Sequence, residues 1–529
     1  MIAVRDIHKL DQVQQFFDSR PRVSQLFFFV FGMLLTLTFA PFGLYFLMPV
    51  FLLPVMFTCL KSAPRTAAKQ LFWYGAGLFL SGTYWLYISI HIIGQAPLWV
   101  AIVIMVGLVL IMAAYCSAVG WMISHLVKGD VWRLLIIAPS AWVGIEWLRG
   151  WFLSGFPWLT VGYSQIDSPL AGWVPLIGVY GTSVLTVLSS AAILVAIIMG
   201  GRQRWLATGI AISPWIIGAA LQPVQWTTAT DQSLRTTIVQ GGVSQDRKWL
   251  REQFQPTLDL YRNTTLKHRE SDLVVWPEVA IPARLDLVEN YVGVLQSDLQ
   301  VQPKTLLFGI LERDPASQKV YNSVVMLDGH DRQMYRKRHL VPFGEYFPVP
   351  EFVRRWMRLM SLPSSDLSSG DDQQPLLESL SGNKLAVAIC YEDAYGAEQL
   401  YALPEATILI NVSNDAWFGD SIAPHQHLEI ARMRALEAGR YVVRATNTGL
   451  SAFIGPKGEL LDIAPQFESV TMTIDVIPHT GSTPYVRTGN WPVITLLCGI
   501  LAWFTWREKI SPGINKRIVG ARPDGRQRG

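Results

Sequence analysis

The sequence predicts a membrane protein built from a bundle of eight α-helical transmembrane spans and one α/β domain, which lies between the seventh and eighth spans. Half of the 529 residues are hydrophobic and only 16% are charged, and the mean hydropathy is +0.28, a profile typical of membrane proteins. From about residue 234 to 478 the pattern changes to short β-rich runs separated by helical stretches. The predicted parts are therefore residues 1–233, 234–478 and 479–529.

The predicted spans are hydrophobic runs, most of them near the roughly 20 residues that a helix needs to cross about 30 Å of hydrocarbon. We interpret the first run as a retained anchor, because its polar leader is too long for a secretory signal and Pro41 follows the only plausible cleavage residue, Ala40. The runs at 45–60 and 205–221 are short or broken by proline. The first seven runs begin near Ser24, Tyr45, Leu71, Pro97, Leu134, Leu170 and Trp205, and the eighth extends from about Asn490 to Trp506.

Lysine and arginine alternate between the loops in a way that predicts the orientation. Every second loop is basic, whereas PFGL, GQAP and the segment 150–168 carry almost no cations. Cationic loops stay in the cytoplasm, so both termini are predicted to be cytoplasmic and the α/β domain to lie outside. The net charge of +4 comes mostly from the tail after Trp506, which argues for topology rather than for nucleic-acid binding. The other cations predicted to be cytoplasmic are Arg5, Lys9, Arg20, Arg22, Lys61, Arg65, Lys69, Lys128, Arg133, Arg202 and Arg204.

The α/β domain is predicted from β-rich runs that alternate with helical patterns. The runs are nearly continuous in apolar residues, which predicts strands buried on both faces. Helical patterns cover 246–269, 285–299 and 425–439. The predicted strands are 236–240, 272–276, 305–311, 322–327, 385–390, 406–412, 440–446 and 469–475.

Reactive side chains follow several of these strands. Glu278 comes after DLVVWP, Lys337 and Glu345 stand in MYRKRHLVPFGEY, and Cys390 follows LAVAI. Singly, each has an ordinary explanation as a solvated carboxylate, a surface cation or a buried thiol. Together they indicate a nucleophilic site, because a thiol near neutral pH needs a proton acceptor and a positive neighbour to react as a thiolate.

Cys390 is the only one of four cysteines that stands beside charged residues, since the others lie in the hydrophobic runs FTCL, AAYCSAV and TLLCGI. The cysteine spacing fits neither a disulfide framework nor a zinc site. His425 and His427 lack further ligands at usable spacing, so they are interpreted as structural residues at a helix start. The sequence predicts no metal and no cofactor.

Five motifs resemble the nitrilase superfamily: WPE, YRKRHLVPFGE, CYED, NVSNDAWFG and RMRALEAGRYVVRATNTG. With seven spans before them and one after, they resemble more closely the bacterial apolipoprotein N-acyltransferases, and the likeness extends to QGGVSQDRKW and GFPWLTVGYSQ. The resemblance implies an αββα sandwich. It also implies a catalytic triad formed by Glu278, Lys337 and Cys390.

The same resemblance implies the reaction: a fatty acyl chain passes from a phospholipid, typically phosphatidylethanolamine, to the N-terminal amine of an apolipoprotein's diacylglyceryl cysteine. The transfer would be ping-pong through a cysteine thioester, as the last step of bacterial lipoprotein maturation. The expected partners are the phospholipid donor and the apolipoprotein acceptor. The expected protein is a monomer in the bacterial inner membrane, with the catalytic domain on the periplasmic side and no nucleic-acid partner.

Five further residues are expected to support this site. Glu345, Tyr391 and Glu392 would orient Lys337 and the turn at Cys390, although each can also pair locally. Trp249 and Trp417 would contact the acyl chain or the peptide, although plain packing explains each about as well.

Three further features suggest contacts with lipid. EFVRRWMRLM, residues 351–360, suits a short interfacial helix or a helix packed on the domain. The polar segment 361–374 is expected to be a mobile lid loop. Glu146 and Arg149, near the outward end of the fifth span, either pair along the helix or contact a phospholipid headgroup.

Two other functions compete with acyl transfer. A membrane-tethered nitrilase-type amidase would use the same three residues, but a soluble amide would not require eight spans. A transporter or membrane scaffold leaves the residues at the strand ends unexplained, and the spans contain few of the central charges that mark transport paths.

Overall fold

The computed structural model describes residues 4–347, 352, 355 and 366–519. A helical bundle comes first, an α/β domain follows, and a long helix ends the described chain. In chain order, helices α1 to α17 are Val4–Ser19, Pro21–Leu35, Met48–Phe51, Leu53–Lys61, Pro64–Gly82, Trp85–Tyr87, Leu98–Val127, Val131–Arg149, Val174–Ile198, Gly201–Leu221, Gln245–Lys248, Arg251–Lys267, Glu289–Val301, Gly396–Gln399, Ala423–Ala438, Pro484–Thr488 and Trp491–Val519. Strands β1 to β14 are Thr227–Ala229, Leu234–Gln240, Leu273–Val275, Thr305–Arg313, Val320–Leu327, Arg332–Arg336, Leu377–Glu378, Lys384–Ile389, Ile408–Ser413, Val442–Thr446, Ala452–Ile454, Leu460–Ile463, Val470–Val476 and His479–Gly481.

Within the described ranges, five helical segments are long and apolar enough to cross a membrane: Pro21–Thr38, Leu98–Val127, Val131–Arg149, Pro169–Ile198 and Gly201–Leu221. A sixth is obtained if α5 and the helix Trp85–Ile93, which meet at a bend of 51°, form one span. The second predicted run is only a shorter apolar helix over Tyr45–Lys61, interrupted between α3 and α4. The protein is therefore membrane-embedded, and the count of eight spans stays a prediction.

The helices of the bundle approach each other closely where glycines face a neighbouring backbone. A Cβ on Gly32 of α2 would lie 1.9 Å from the carbonyl oxygen of Tyr74 in α5. Conversely, a Cβ on Gly77 of α5 would lie 2.0 Å from the carbonyl oxygen of Phe29 in α2. Small residues at such crossings let helices pack through van der Waals contact inside a membrane.

The α/β domain contains two six-stranded sheets, ordered β13-β2-β3-β4-β5-β6 and β12-β11-β10-β9-β8-β7. The sheets pack face to face, and one hydrophobic core joins Val275 and Leu307 of the first to Val387 and Ile410 of the second. Helices α12 and α13 cover the outer face of the first sheet, and α15 covers the second. These layers form the αββα sandwich that the resemblance implies.

All eight predicted strands are present, as β2 to β5, β8 to β10 and β13. Six further strands were not predicted: β1, β6, β7, β11, β12 and β14. The expectation that every strand is buried on both faces is wrong for β13. This strand lies at the edge of its sheet, where one side has no neighbouring strand.

The α/β domain rests on the loops at one end of the helical bundle. The main-chain N–H of Ala40 donates to a carboxylate oxygen of Glu429 at 3.2 Å, and the Ser89 hydroxyl donates to the carbonyl of Trp417 at 2.7 Å. Both contacts join the bundle to segments that pack with or follow strands of the second sheet. The bundle and the domain are thus directly packed.

Candidate active site

Cys390 lies where β8 ends and a 3₁₀ turn, Cys390–Ala394, begins. Its φ angle of 54° places it in the left-handed region, which non-glycine residues adopt rarely and mostly at turns or functional sites. The side chain is half-buried. The change of direction takes the thiol out of the strand and places it near Ser413.

Two carboxylates share one buried lysine beside this turn. Lys337 follows β6 and is fully buried, with its Nζ 2.9 Å from Glu345 and 3.7 Å from Oε1 of Glu278. The side-chain amide of Asn322 on β5 donates to Glu278 at 2.7 Å and to Glu345 at 3.0 Å. The lysine and the amide hold both acids in fixed positions.

The charges of this cluster act on the thiol. Burial and then the Glu278 carboxylate raise the pKa of Cys390 well above its ordinary value, and Lys337 only partly opposes them. Burial lowers the pKa of Lys337, but Glu345, Glu278 and Cys390 raise it, and the net direction is upward. The lysine is therefore an ammonium and the resting thiol is protonated, so reaction of the thiol as a thiolate would require a base.

Glu392 connects the Cys390 turn to the segment that carries Lys337. Its buried carboxylate accepts the N–H of Ile389 at 2.6 Å, of Arg338 at 2.7 Å and of His339 at 3.2 Å. The Tyr335 hydroxyl also donates to it at 3.1 Å. Because one carboxylate bonds both segments, it fixes the thiol relative to the ammonium.

His427 of α15 lies directly beneath the Cys390 turn. Its Nδ1 is 3.0 Å from Asp415, and its Nε2 is 2.9 Å from Asp393 and 3.2 Å from the carbonyl oxygen of Cys390. Burial and Arg444 lower the pKa of His427, but the two aspartates raise it to about 9. The imidazole is therefore a charged donor within a buried network, a role beyond that of the helix-start residue which the sequence predicted.

Two family models match separate regions of the chain. The apolipoprotein N-acyltransferase N-terminal domain matches residues 31–192, and carbon-nitrogen hydrolase matches residues 235–485. A protein of Methylococcus capsulatus named apolipoprotein N-acyltransferase is 38% identical over 472 residues, which cover 89% of this chain and 93% of that one. An Azotobacter vinelandii protein of the same name is 40% identical over 495 residues, covering 91% of this chain and 95% of that one.

The chain belongs to the apolipoprotein N-acyltransferase family. It is therefore an acyltransferase that acts on lipoproteins, and its α/β domain has the nitrilase-like fold. Among solved structures, an amidase of Nesterenkonia is similar with a TM-score of 0.38 and 16% identity, covering 50% of this chain and 97% of that one. Saccharomyces cerevisiae Nit3 is similar with a TM-score of 0.37 and 20% identity, covering 47% and 93%.

The remaining expected residues are Tyr391, which faces the bundle, and the two tryptophans Trp249 and Trp417. The Tyr391 hydroxyl donates to the carbonyl of Gly155 at 3.4 Å, and its ring lies against Trp158, with centroids 6.2 Å apart. Trp249 is 53% exposed and Trp417 is 43% exposed. Both indoles are therefore exposed, whereas Tyr391 packs against a loop of the bundle.

Glu146 and Arg149 hold the loop GFPWLTVGYSQ rather than each other. Arg149 donates to the carbonyls of Phe156 at 3.0 Å and Trp158 at 2.5 Å. Glu146 accepts the N–H of Val161 at 2.9 Å. Both side chains are buried, so their contacts favour a structural role over binding of a lipid headgroup.

The segment after Glu345 is described only in part. The helix expected at 351–360 lies outside the described residues except for Phe352 and Arg355, which are helical. Residues 361–365 of the expected lid also lie outside them. The described remainder is bonded to the backbone of the site, because the N–H of Leu367 donates to the carbonyl of Glu345 at 2.8 Å and the N–H of Gly370 donates to the carbonyl of Lys337 at 2.8 Å.

Two side chains that contact Glu278 were missed by the sequence analysis. Asn322 stands inside the apolar run NSVVML, and Lys248 stands in QDRKW beside other charges. A polar side chain in a strand that is otherwise buried was an available signal for Asn322. Nothing local distinguished Lys248, because helix ends on protein surfaces commonly carry cations.

Proposed function

We propose that Cys390 is the nucleophile, Glu278 the general base and Lys337 the cation that stabilises the oxyanion in acyl transfer from a phospholipid to an apolipoprotein. One observation carries the assignment: Lys337 lies 3.7 Å from Glu278, and the charges of both act on the half-buried thiol. All three come from one chain, which supports action as a monomer.

In the first half of the reaction, Glu278 accepts the thiol proton as Cys390 Sγ attacks the ester carbonyl of the phospholipid. The negative oxygen of the tetrahedral intermediate is stabilised by the Lys337 ammonium and by the N–H of Tyr391. Loss of one such donor typically costs about 2.7 to 4 kcal/mol. The intermediate collapses with cleavage of the ester C–O bond, and Glu278 returns the proton to the leaving lysophospholipid.

In the second half, the α-amine of the apolipoprotein's diacylglyceryl cysteine attacks the thioester. Glu278 takes a proton from the amine, the C–S bond breaks and the amide forms. The released thiolate is protonated again, so that the enzyme returns to its starting state. Donor and acceptor therefore react in turn at one sulfur, which predicts ping-pong kinetics.

Exposed apolar side chains around the site support a substrate that comes from a bilayer. Trp249, Phe343, Phe352 and Trp417 are each more than two-fifths exposed. Large exposed apolar groups of this kind mark surfaces that contact other molecules or membranes. They suit the acyl chains of a phospholipid such as phosphatidylethanolamine, and they keep water away from the thioester.

The proposed topology has eight spans, cytoplasmic termini and a periplasmic domain. Lys128 and Arg133 both form ion pairs with Glu508, so that basic loops collect at one end of the bundle. The α/β domain packs on the other end, where Ala40 and Ser89 contact it. Because cationic loops face the cytoplasm, this arrangement supports a domain outside the cell's inner membrane.

The mechanism is tested by incubating the full-length enzyme with phosphatidylethanolamine alone and measuring its intact mass. We expect one acyl adduct, located on Cys390, together with released lysophospholipid. Cys390→Ser forms no adduct and transfers no acyl chain, whereas Cys116→Ser, altered inside α7, keeps both activities. Transfer by the Cys390 variant would contradict the proposal, and steady release of free fatty acid, or of ammonia from amides, without an adduct indicates a hydrolase.

A further inference from the structure

Lys248 is a buried lysine at the last residue of α11. Only 3% of its surface is exposed, and lysine is almost never fully buried unless it has a partner. Its Nζ donates to the main-chain carbonyl of Glu278 at 3.3 Å. The ammonium therefore binds the backbone of the residue whose carboxylate we assign as the base.

The carbonyl that Lys248 binds belongs to a constrained turn. Val279, the next residue, has a φ angle of 45°, in the left-handed region that β-branched residues rarely adopt. On the other side of the turn, a Cβ on Gly309 would lie only 2.4 Å from the nitrogen of Val279, and the N–H of Gly309 donates to Pro277 at 3.1 Å. The turn is thus held between Gly309 of β4 and Lys248.

The helix that carries Lys248 is itself fixed to the second sheet. Gln245, at its start, accepts a hydrogen bond from the Asn414 amide at 2.9 Å, and Val243 accepts one from Asn447 at 2.6 Å. Asn414 follows β9, which is next to β8, the strand that Cys390 follows. Lys248 therefore connects the backbone of the base, in the first sheet, to the side of the sandwich that holds the nucleophile.

Burial of the Lys248 ammonium is unfavourable. Its contact with the Glu278 carbonyl is therefore better explained by the positioning of Glu278 than by a gain in stability. Burial lowers the pKa of Lys248 to about 8, and the Glu278 charge only partly opposes this. The next two residues, Trp249 and Leu250, are each more than half exposed. A surface suited to acyl chains thus continues directly from the residue that holds the base.

We propose that Lys248 is a positioning residue that holds Glu278 in place for proton transfer and joins it to the Trp249 segment. The inference rests on the proposed role of Glu278. A displacement of about 1 Å at a reacting group can cost about 100-fold in rate. We therefore expect Lys248→Met to form the acyl-enzyme about 100-fold more slowly at saturating phospholipid, with little change in KM.

Lys304→Met is the matched control. Lys304 is also buried and also donates to main-chain carbonyls, those of Thr265 at 3.4 Å and His268 at 2.5 Å, but it lies just before the start of β4, away from the turn at Glu278. Both full-length variants are reconstituted with phosphatidylethanolamine, and adduct formation is followed by intact mass beside the melting temperature. We expect a normal rate for Lys304→Met and an unchanged or higher melting temperature for Lys248→Met, because a buried charge is removed.

Lys248→Arg, which keeps the donor and the charge, is expected to recover most of the lost rate. The inference is overturned if Lys248→Met reacts within twofold of the wild type, or if its loss matches that of Lys304→Met and follows the melting temperature. Glu278→Gln distinguishes a failure of the proposed mechanism from a failure of the role proposed for Lys248. If that variant is active, the proposed mechanism fails; if it is inactive while Lys248→Met is active, only the role of Lys248 fails.

Discussion

At the scale of single residues, the resting thiol determines how the reaction must begin. Burial and Glu278 hold the pKa of Cys390 high, so a preformed thiolate is not the attacking species at neutral pH. A thiol that stays protonated until a base is in place reacts slowly with oxidants and electrophiles. In the proposed mechanism, the rate therefore depends on the precise placement of Glu278 and Lys337.

Alkylation of Cys390 tests this electrostatic description. Because the thiol pKa is raised, we expect slow labelling by iodoacetamide at pH 7 that becomes faster up to pH 10. Lys337 lowers the thiol pKa, so Lys337→Met is expected to slow labelling further at every pH in that range. Peptide mass spectrometry measures the rate at Cys390, with Cys390→Ser as the blank. Rapid labelling at pH 7 that does not change with pH would contradict a protonated resting thiol.

The sequence predicts Glu278, Lys337 and Cys390 as site candidates because each follows a strand of one α/β domain, and the strand end is a local feature. It does not predict Asn322 or Lys248, because their contacts with Glu278 join residues 44 and 30 positions apart. Such contacts depend on how β5 and α11 pack against the turn after β3. Packing at that distance is not encoded in any short window.

At the scale of elements, α15 connects the turn at Cys390 to the membrane bundle. Gln426 accepts the indole N–H of Trp158 at 2.7 Å and of Trp85 at 3.3 Å. The next residue, His427, contacts the carbonyl of Cys390. The periodicity at 425–439 predicts this helix, which extends over Ala423–Ala438, but not its buried charges, because helical spacing does not reveal which ions meet in the core.

The charge on His427 is expected to make stability depend on pH. Its folded pKa of about 9 lies above the ordinary value of 6.5. The stabilisation is therefore complete below about pH 6.5 and is lost as the pH rises through 9. We expect the wild type to melt well above His427→Gln at pH 6.5, and the difference to shrink by pH 10.

Thermal unfolding of both proteins in the same detergent, at pH 6.5 and pH 10, measures that difference. Asp393, Asp415 and Arg444 surround the imidazole in both proteins, so their own contributions and effects elsewhere in the molecule largely cancel in the comparison. A constant difference in melting temperature would show that His427 acts only through packing and neutral hydrogen bonds.

At the scale of the whole molecule, the bundle and the domain are arranged so that a loop of the bundle reaches the candidate site. The loop after α8 contributes Gly155 and Trp158 to the surroundings of Tyr391. Hydropathy predicts that such loops exist but not which one reaches the site. The short apolar helix Tyr45–Lys61 and the bend of 51° after α5 likewise depend on tertiary packing, which explains why counting hydrophobic runs does not fix the number of spans.

Topology can be tested with single cysteines on exposed positions at the two ends of the molecule. Val301 of α13 is 82% exposed on the domain, and Arg202 is an exposed residue at the start of α10, among the basic loops. The positive-inside rule predicts that a membrane-impermeant maleimide labels Val301→Cys in cells whose outer membrane is permeable, whereas Arg202→Cys is labelled only after the inner membrane is opened. The unmodified chain gives the background from its own four cysteines. Labelling of Arg202→Cys in cells with an intact inner membrane would reverse the assigned orientation, and with it the side on which the acyl chain is transferred.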